Sequence, residues 1–498
     1  MHARIAALEN LSPQAVVAIL VCAQIVIWTV LPRLLAISLP LDVVSDGLGW
    51  GHEWQWGYYK HPPLPSWTVE FFFDLFGDTG PFLLSQLAVG ATYGLVFLIG
   101  REMMPPRQAL AGTLLLVGVY YFSIPTPEFN HNVAQMPVWA ATTFAYWKAL
   151  KTGRLRWWAL LGLAGGIGIL TKYASAVLLA AVFVHLISTR KISAFAKPGP
   201  YIALGVLLAA IAPHIVWLVQ NHFPTLGYAQ ARAGHAGGLL LRIVAPFHFL
   251  LSQAVTLLPC LVVAATIGLL RIGALRRLPS LGNENFRFLV FLGLGPALIT
   301  ALGSLVTGYG IRDMWGMPMW NLTGLLIVAA MPGRWAKTSM IGLYAWVAAL
   351  FVVLPFAYAL STSIIPELRG KPSRTEWPDR ALAQTFASAW SARTGAPLAI
   401  VASDGWLGGL IAMRAVPRPS VFIDGDRHHA PWITSARLAR EGALVVWQIH
   451  GSDAPPPGLD LPGMKVMGVK SFAWPRNPGT APLRIGWGVL PPAPGQHR

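Results

Sequence analysis

The chain has 498 residues, of which 55% are hydrophobic and only 11% are charged. A soluble protein usually carries roughly 25% charged residues, so this composition excludes an ordinary soluble enzyme. Repeated apolar runs of about 20 residues instead indicate a polytopic membrane protein. The formal net charge of +17 would by itself suggest a nucleic-acid partner, so the distribution of the cations along the chain has to be considered.

The apolar runs predict about eleven transmembrane helices. These cover residues 14–39, 79–100, 106–123, 129–149, 156–171, 174–189, 200–219, 243–270, 288–307, 314–332 and 338–361. With the N-terminus inside, the outer connections carry few cations, namely Lys60, Lys172, Arg232, Arg242 and Arg312. The other connections are rich in Lys and Arg, as the positive-inside rule requires. The basic excess therefore needs no nucleic acid, and an odd number of crossings places the C-terminal segment outside.

The first outer loop, residues 40–78, is much longer than most of the other connections, and long loops in compact proteins are often functional. Its acidic residues are Asp42, Asp46, Glu53, Glu70, Asp74 and Asp78. Asp42 directly follows "ISLPL" at the end of the first span. A carboxylate at the mouth of a helix bundle is costly unless it is paired or used. The alternative is that Asp42 caps a helix that begins at Val43, and that Asp46 solvates this helix.

The same loop contains "GYYKHPPLPSW", residues 57–67, which is too polar and too rich in proline for a transmembrane helix. The prolines stiffen the backbone, and Tyr58 and Tyr59 supply flat walls beside Lys60 and His61. A cation held in this way suits a fixed phosphate that carries a hydrocarbon tail. The alternative is that Lys60 extends toward the phosphates of the membrane lipids.

Two further outer positions carry polar residues. Glu128, Asn130 and His131 lie where the fourth predicted span begins, and helix capping explains them equally well. Lys172 lies in the tight turn between the spans 156–171 and 174–189. Extension of its side chain to the membrane surface is the favoured interpretation there, with phosphate binding as the alternative.

From about residue 362 the pattern changes to that of a small α/β domain, so we predict a membrane domain at 1–361 and a second, outer domain at 362–498. "RTEWPDRALAQTFASAWSARTG" predicts an amphipathic helix, while "PLAIVAS", "SVFID" and "ALVVWQIHG" predict short buried strands. Helical stretches are predicted near 406–414 and 435–441. The "DGDRHH" stretch, residues 424–429, could bind a cation, but a turn after a strand is the favoured interpretation.

The first outer loop resembles that of the GT-C glycosyltransferases, in particular bacterial relatives of the protein O-mannosyltransferases and aminoarabinose (lipid A) transferases. The resemblance rests on an acidic residue after the first span followed by "GYYKHPPL", and more weakly on "EFNHNVAQMPVWAATTFAYWKAL", "GLAGGIGILTKYASAVLL" and "GYGIRDMWGMPMW". It covers roughly residues 14–361. It implies a bacterial inner-membrane enzyme with a periplasmic C-terminal domain. The enzyme would transfer a sugar, with inversion, from a polyprenyl phosphate to a lipid, glycan or protein acceptor.

The resemblance also implies roles for individual residues. Asp42 matches the catalytic acid, with Asp46 as the next carboxylate. Lys60, His61 and Arg312 match cations that bind the donor phosphate. Tyr59 and Glu53 are further substrate-binding candidates, together with Glu128, Asn130, His131 and Lys172. No metal ligands are predicted, although a divalent cation is left open as a cofactor.

The sequence departs from the family pattern at two places. Many relatives have Asp-Glu after the first span, whereas Val43 follows Asp42 here. Many also have Lys directly before Pro-Pro, where this chain has His61. The alternative function is a lipid or glycolipid transporter or flippase, for which Pro213, His214 and His248 are the nearest intramembrane candidates.

Overall fold

The computed structural model describes residues 10–189, 191–233, 239–268, 279–331 and 337–493. Predicted positions at 1–9, 269–270, 332 and 494–498 therefore lie outside the described residues. The helices of the membrane part are α1 Pro13–Leu35, α2 Leu64–Phe76, α3 Gly80–Met103, α4 Pro106–Leu115, α5 His131–Thr152, α6 Leu155–Thr171, α7 Ser175–Ser188, α8 Gly199–Gln220, α9 Pro224–Ala233, α10 Leu239–Thr266, α11 Glu284–Thr307, α12 Thr323–Ala330 and α13 Lys337–Ala359.

Six helical segments of the described chain are long and apolar enough to cross a membrane. These are Pro13–Leu35, Leu64–Met103, Gly199–Gln220, Arg242–Thr266, Glu284–Thr307 and Ser339–Leu368. Leu155–Thr171 and Ser175–Ser188 are apolar but shorter. The architecture confirms a polytopic helical membrane protein, while the number of eleven crossings stays a prediction. The last segment continues to Leu368, beyond the boundary predicted at residue 361.

Two predicted spans are broken in the structure. The span predicted at 106–123 is α-helical only to Leu115 and continues as 3-10 turns to Phe122. The span predicted at 314–332 begins as the 3-10 helix Asp313–Trp320, which contains Pro318, and then becomes α12. Proline lacks the backbone N–H that a regular α-helix needs there. Both irregular stretches lie beside the cleft described below, where protein surrounds the backbone.

Glycines let the membrane helices approach closely. A Cβ on Gly90 of α3 would lie 2.9 Å from Val21 of α1. A Cβ on Gly162 of α6 would lie 2.1 Å from the Ala203 carbonyl oxygen of α8. Small residues at such crossings replace the hydrophobic driving force that is missing inside a bilayer.

The C-terminal domain is built on a five-stranded sheet with the order β2-β1-β3-β5-β4. Its elements are α14 Asp379–Thr394, β1 Ile400–Ser403, α15 Gly405–Ala412, β2 Ser420–Ile423, α16 Ser435–Glu441, β3 Ala443–Gln448, β4 Lys465–Phe472 and β5 Leu483–Leu490. β1 pairs in parallel with β2 and β3, and β5 pairs antiparallel with β3 and β4. The three predicted strands and three predicted helices are confirmed, as is the small α/β domain.

The hairpin of β4 and β5 was missed from the sequence. β4 is a mostly exposed edge strand that contains two lysines. Lysines on an edge strand discourage pairing with other chains, but they interrupt the apolar alternation by which a strand is predicted. β5 is buried but contains Gly486, whose missing side chain leaves room for the Trp447 ring.

The C-terminal domain docks on the first outer loop. Arg418 of this domain contacts Glu70 at 2.5 Å and the Leu48 carbonyl oxygen at 2.7 Å. Arg414 contacts both carboxylate oxygens of Asp78, at 2.6 and 3.0 Å. Glu70 and Asp78 of the loop thus bind the C-terminal domain, and Asp74 is exposed on α2.

Candidate active site

Asp42 is positioned by a short irregular stretch after α1. The backbone N–H groups of Ile37 and Ser38 donate to the Thr375 carbonyl oxygen, which ties this stretch to the C-terminal domain. Asp42 then precedes the π-helical turn Val43–Leu48, but its side chain makes no capping hydrogen bond to that turn. The capping interpretation is therefore wrong, and the carboxylate is free to face other groups.

Glu128 and Asn130 contact Asp42 from the connection that precedes α5. The Asp42 backbone N–H donates to Glu128 Oε1 at 2.8 Å, and Asn130 Nδ2 donates to Asp42 Oδ2 at 3.2 Å. Asn130 also caps α5, because its Oδ1 accepts from the N–H groups of Asn132 and Val133. Capping and contact with Asp42 are thus two functions of one side chain.

The environment of Asp42 favours its protonated form. Burial, and then the nearby carboxylates of Glu128 and Asp46, raise the pKa of Asp42 to about 7, although Asn130 and Lys60 act in the opposite direction. Burial likewise raises the pKa of Glu128. A carboxyl group poised near neutral pH is suited to general acid–base chemistry.

Asp46 and Lys60 form an ion pair beside an aromatic cluster. Lys60 Nζ lies 3.0 Å from Asp46 Oδ1. It also lies 5.2, 5.5 and 5.9 Å from the ring centroids of Tyr59, Trp50 and Tyr228. Burial alone would lower the pKa of Lys60, but the Asp46 carboxylate outweighs it and raises that pKa. Lys60 is thus a fixed cation, which agrees with the predicted stiffness of this loop.

His61 does not supply a second charge. Its ring lies 4.0 Å from that of His131, centroid to centroid. Burial, and then His131, Lys172 and Lys60, hold the pKa of His61 well below its usual range. His61 is therefore neutral near pH 7, so it can add hydrogen bonds but no charge to the predicted phosphate site.

Lys172 is buried within the bundle. Its side chain is 9% exposed, and Nζ donates to Asn132 Oδ1. The favoured interpretation, extension to the membrane surface, is therefore wrong. Burial lowers the pKa of Lys172 to about 8, although the Asp42 carboxylate opposes this shift. Asp42 and Lys172 are thus close enough to interact.

A cleft of about 600 Å³ opens beside Asp42. Asp42, Glu128, Asn130 and Asn132 form its polar end. Leu251, Val255 and Met317 contribute apolar lining. A cleft with polar and apolar parts can hold the head and tail of one lipid-linked molecule.

Arg312 is exposed just before the 3-10 helix Asp313–Trp320, whose first residues line this cleft. No contact of Arg312 with Lys60 or His61 is present in the described structure. The predicted convergence of these three residues on one phosphate therefore stays a prediction.

Glu53 and Tyr59 face the C-terminal domain. Burial raises the pKa of Glu53, while Ser420 and Arg437 of the domain lower it. The Tyr59 ring stacks on His429 with centroids 4.1 Å apart. Glu53 thus lies against the C-terminal domain and is not one of the residues that contact Asp42.

The "DGDRHH" stretch forms a turn that covers the aromatic cluster. His429 Nδ1 contacts Asp424 Oδ2 at 3.0 Å. In the part of the chain that the structure describes, no three His, Cys, Asp or Glu side chains are grouped so as to hold a metal ion.

Sequence reasoning missed the residues that line the cleft from α10 and the following 3-10 helix, namely His248, Ser252 and Asp313. The signal was available, because His248 and Ser252 are polar residues within an apolar span. On the sequence alone, His248 is a candidate for a transporter only, and Asp313 is one residue of the "GYGIRDMWGMPMW" stretch.

The chain is similar to known glycosyltransferases that use lipid-linked sugars. The family model for dolichyl-phosphate-mannose-protein mannosyltransferases matches residues 60–217, which include Lys60, Glu128 and Lys172. The lipopolysaccharide core galacturonosyltransferase RgtA of Rhizobium johnstonii is 25% identical over 448 residues, which are 86% of each chain. The resemblance to the GT-C glycosyltransferases is confirmed.

Other relatives and a solved structure agree with the GT-C assignment. An undecaprenyl phosphate-alpha-4-amino-4-deoxy-L-arabinose arabinosyl transferase of Serratia proteamaculans is 34% identical, over 30% of this chain and 29% of its own. The crystal structure of ArnT from Cupriavidus metallidurans bound to undecaprenyl phosphate superposes with a TM-score of 0.65 at 14% identity, and covers 95% of this chain and 98% of that chain. This last match shows the GT-C fold. None of the relatives named here is a transporter.

Proposed function

We propose that this GT-C glycosyltransferase moves a sugar from a polyprenyl-phosphate carrier to the saccharide of an envelope glycolipid, on the periplasmic side of the bacterial inner membrane. The observation that carries the proposal is Asp42, a half-buried carboxyl group with a pKa of about 7 at the polar end of a cleft that also has apolar lining. The named substrates of the relatives, lipopolysaccharide core and undecaprenyl-phosphate-linked aminoarabinose, support the choice of donor and acceptor class.

In the proposed reaction, Asp42 takes the proton of the acceptor hydroxyl group. The acceptor oxygen forms a bond to the anomeric carbon of the sugar, and the bond from that carbon to the phosphate oxygen breaks. Polyprenyl phosphate leaves with the electron pair of the broken bond. Asn130 holds the carboxylate through Oδ2, and Glu128 holds the backbone of the same residue.

The leaving phosphate needs positive charge as its own negative charge develops. Lys60 is a half-buried cation of the first loop, and its partner Asp46 yields to the phosphate when the donor binds. Arg312 lies at the edge of the cleft and supplies a second charge. His61 donates a hydrogen bond without a charge, and Lys172, held by Asn132, adds charge behind the polar end of the cleft.

Turnover of purified protein tests this proposal. Release of polyprenyl phosphate would be measured with galacturonosyl and aminoarabinosyl polyprenyl phosphates as donors and lipopolysaccharide as the acceptor, which also separates hexosyl from pentosyl transfer. We expect Asp42→Asn to lower the rate by about a hundred- to ten-thousand-fold, as for loss of a general base. Asp74→Asn, in the same loop and away from the cleft, should leave the rate unchanged.

Asp46→Asn is the control that decides which of the two acids, Asp42 or Asp46, is the base. It should cause a smaller loss than Asp42→Asn, because it frees Lys60 without removing the base. Loss of turnover in Asp46→Asn together with near-normal turnover in Asp42→Asn would show that the roles are exchanged. Normal turnover in both variants would overturn the mechanism.

A further inference from the structure

The cleft contains a second set of polar side chains, distant in sequence from the first loop. His248 and Ser252 are four residues apart on α10, and Asp313 begins the 3-10 helix. Ser252 Oγ donates to Asp313 Oδ1 at 2.9 Å, and His248 Nδ1 lies 3.7 Å from the same oxygen. All three residues line the cleft that contains Asp42.

The backbone of Asp313 is fixed by hydrogen bonds from two side chains. Its backbone carbonyl oxygen accepts hydrogen bonds from the Tyr121 hydroxyl group at 2.7 Å and from Gln253 Nε2 at 3.1 Å. Gln253 Oε1 in turn accepts from the Trp320 indole N–H at 3.0 Å. Groups fixed by such second contacts are suited to bind a ligand in one orientation.

The surroundings of this set are apolar, so its polarity has a cost. On α10, the neighbouring side chains of Phe247, Leu251 and Val255 are 61–69% exposed and form part of an apolar span. His248 and Asp313 are 69% and 49% exposed beside them. His248 lies within the candidate span Arg242–Thr266, where an ionisable residue is costly and is normally retained for a function, and Asp313 meets it from the stretch after α11.

We propose that Asp313, with Ser252 and His248, binds the hydroxyl groups of the donor sugar and thereby orients its anomeric carbon toward the acceptor. A carboxylate accepts hydrogen bonds from two neighbouring hydroxyl groups but repels a phosphate, so the set favours the sugar over the lipid phosphate. The imidazole and the serine hydroxyl complete the set, because each can donate as well as accept. This assignment rests on the proposed transfer from a lipid-linked sugar.

The test compares the donor with the carrier lipid that lacks the sugar. In Asp313→Asn and His248→Asn, the KM for the polyprenyl-phosphate sugar should rise about tenfold or more, as expected for loss of a hydrogen bond to a charged group. The inhibition constant of undecaprenyl phosphate, which has no sugar, should stay within about twofold of that of the unchanged protein. Ser252→Ala should raise the KM for the donor less than Asp313→Asn does.

Asp453→Asn, in an exposed ion pair of the C-terminal domain, is the control and should change neither constant. If Asp313→Asn weakens the binding of the donor and of undecaprenyl phosphate equally, the set contacts the phosphate or only shapes the cleft. That result would overturn the assignment. An unchanged KM for the donor in Asp313→Asn would overturn it as well. Failure of the proposed function is distinguishable, because the unchanged protein would then turn over no donor at all.

Discussion

Among single residues, two carboxyl groups of the candidate site, those of Asp42 and Asp46, have different surroundings. Asp42 and Asp46 are separated by one helical turn, yet Asp46 pairs with Lys60 while Asp42 accepts only a neutral amide at 3.2 Å. Burial and two neighbouring carboxylates then push the pKa of Asp42 to about 7. Carboxyl groups whose environments differ in this way commonly divide into an acid–base group and an electrostatic group.

The pH dependence of transfer follows from this pKa. A general base acts when it is deprotonated, and a raised pKa means that Asp42 loses its charge as the pH falls through about 7 instead of about 4. We therefore expect kcat/KM to decline below about pH 7 with the slope of a single proton. A pH series of donor turnover measures this.

Substitution of Asp46 should shift that decline. Asp46 raises the pKa of Asp42, and Lys60 lowers it. Asp46→Asn removes the first effect and leaves the charge of Lys60 unpaired, so both changes move the acid limb to lower pH. Asp74→Asn should leave the limb in place. An unchanged limb in Asp46→Asn would contradict the assignment of the titrating group to Asp42.

At the scale of elements, the first outer loop has two functions. One part, around Asp42 and Lys60, faces the cleft and the aromatic cluster. The other part, around Glu70 and Asp78, binds the C-terminal domain through Arg418 and Arg414. The glycine at 409 brings α15 against the turn at Val44, where a Cβ would lie 2.8 Å from Val44 Cγ1. The position of the catalytic stretch therefore depends on the docked domain.

Among the contacts between the first loop and the C-terminal domain, loss of the Arg418–Glu70 ion pair should lower stability most. Glu70 is 1% exposed and Arg418 is 15% exposed, so Arg418→Met would leave a buried carboxylate without its cation. Breaking such a pair typically costs about 3–5 kcal/mol. We expect a lower midpoint of thermal unfolding in detergent and faster proteolysis of the C-terminal domain.

The control for this prediction is Arg440→Met. Arg440 pairs with Glu441 on the exposed face of the same domain, with 52% of its side chain exposed, and should change stability by less than about 1 kcal/mol. The double variant Arg418→Met/Glu70→Leu should recover much of the loss, since no buried charge remains. Equal effects of Arg418→Met and Arg440→Met would contradict the buried-pair account.

At the scale of the whole molecule, the topology relates the site to the membrane. The first loop and the C-terminal domain contact each other, so they lie on one side of the bilayer. The cation-poor connections belong to that side, so by the positive-inside rule we expect that side to lie outside the membrane. A lipid-linked donor that has already crossed the membrane would meet Asp42 there.

Thiol labelling of intact spheroplasts can test this orientation. In a background without Cys22 and Cys260, Asp460→Cys places a thiol on the exposed surface of the C-terminal domain. Thr152→Cys places one at the exposed inner end of α5. An impermeant reagent should label the first in intact spheroplasts, and the second only after permeabilisation. The reverse pattern would show that the topology is inverted.

The class of the molecule and several candidates for its site were predictable from the amino-acid sequence. Apolar runs predicted the helical bundle because a bilayer admits few other structures, and the alternation of apolar strands and helices predicted most of the C-terminal domain. The first loop stood out because acids and aromatics are conspicuous in a chain with so few charges. Asp42, Asp46 and Lys60 were identified as site candidates on that basis.

The tertiary structure decided which of these groups meet. Asp42 is brought to Glu128 and Asn130 across 86 and 88 residues, and no local pattern records such distant pairs. Burial, which sequence does not specify, made Lys172 an internal cation and His61 a neutral ring. The cleft's second set of side chains arises only where α10 meets the 3-10 helix at Asp313, because packing alone brings their polar groups to a common cavity.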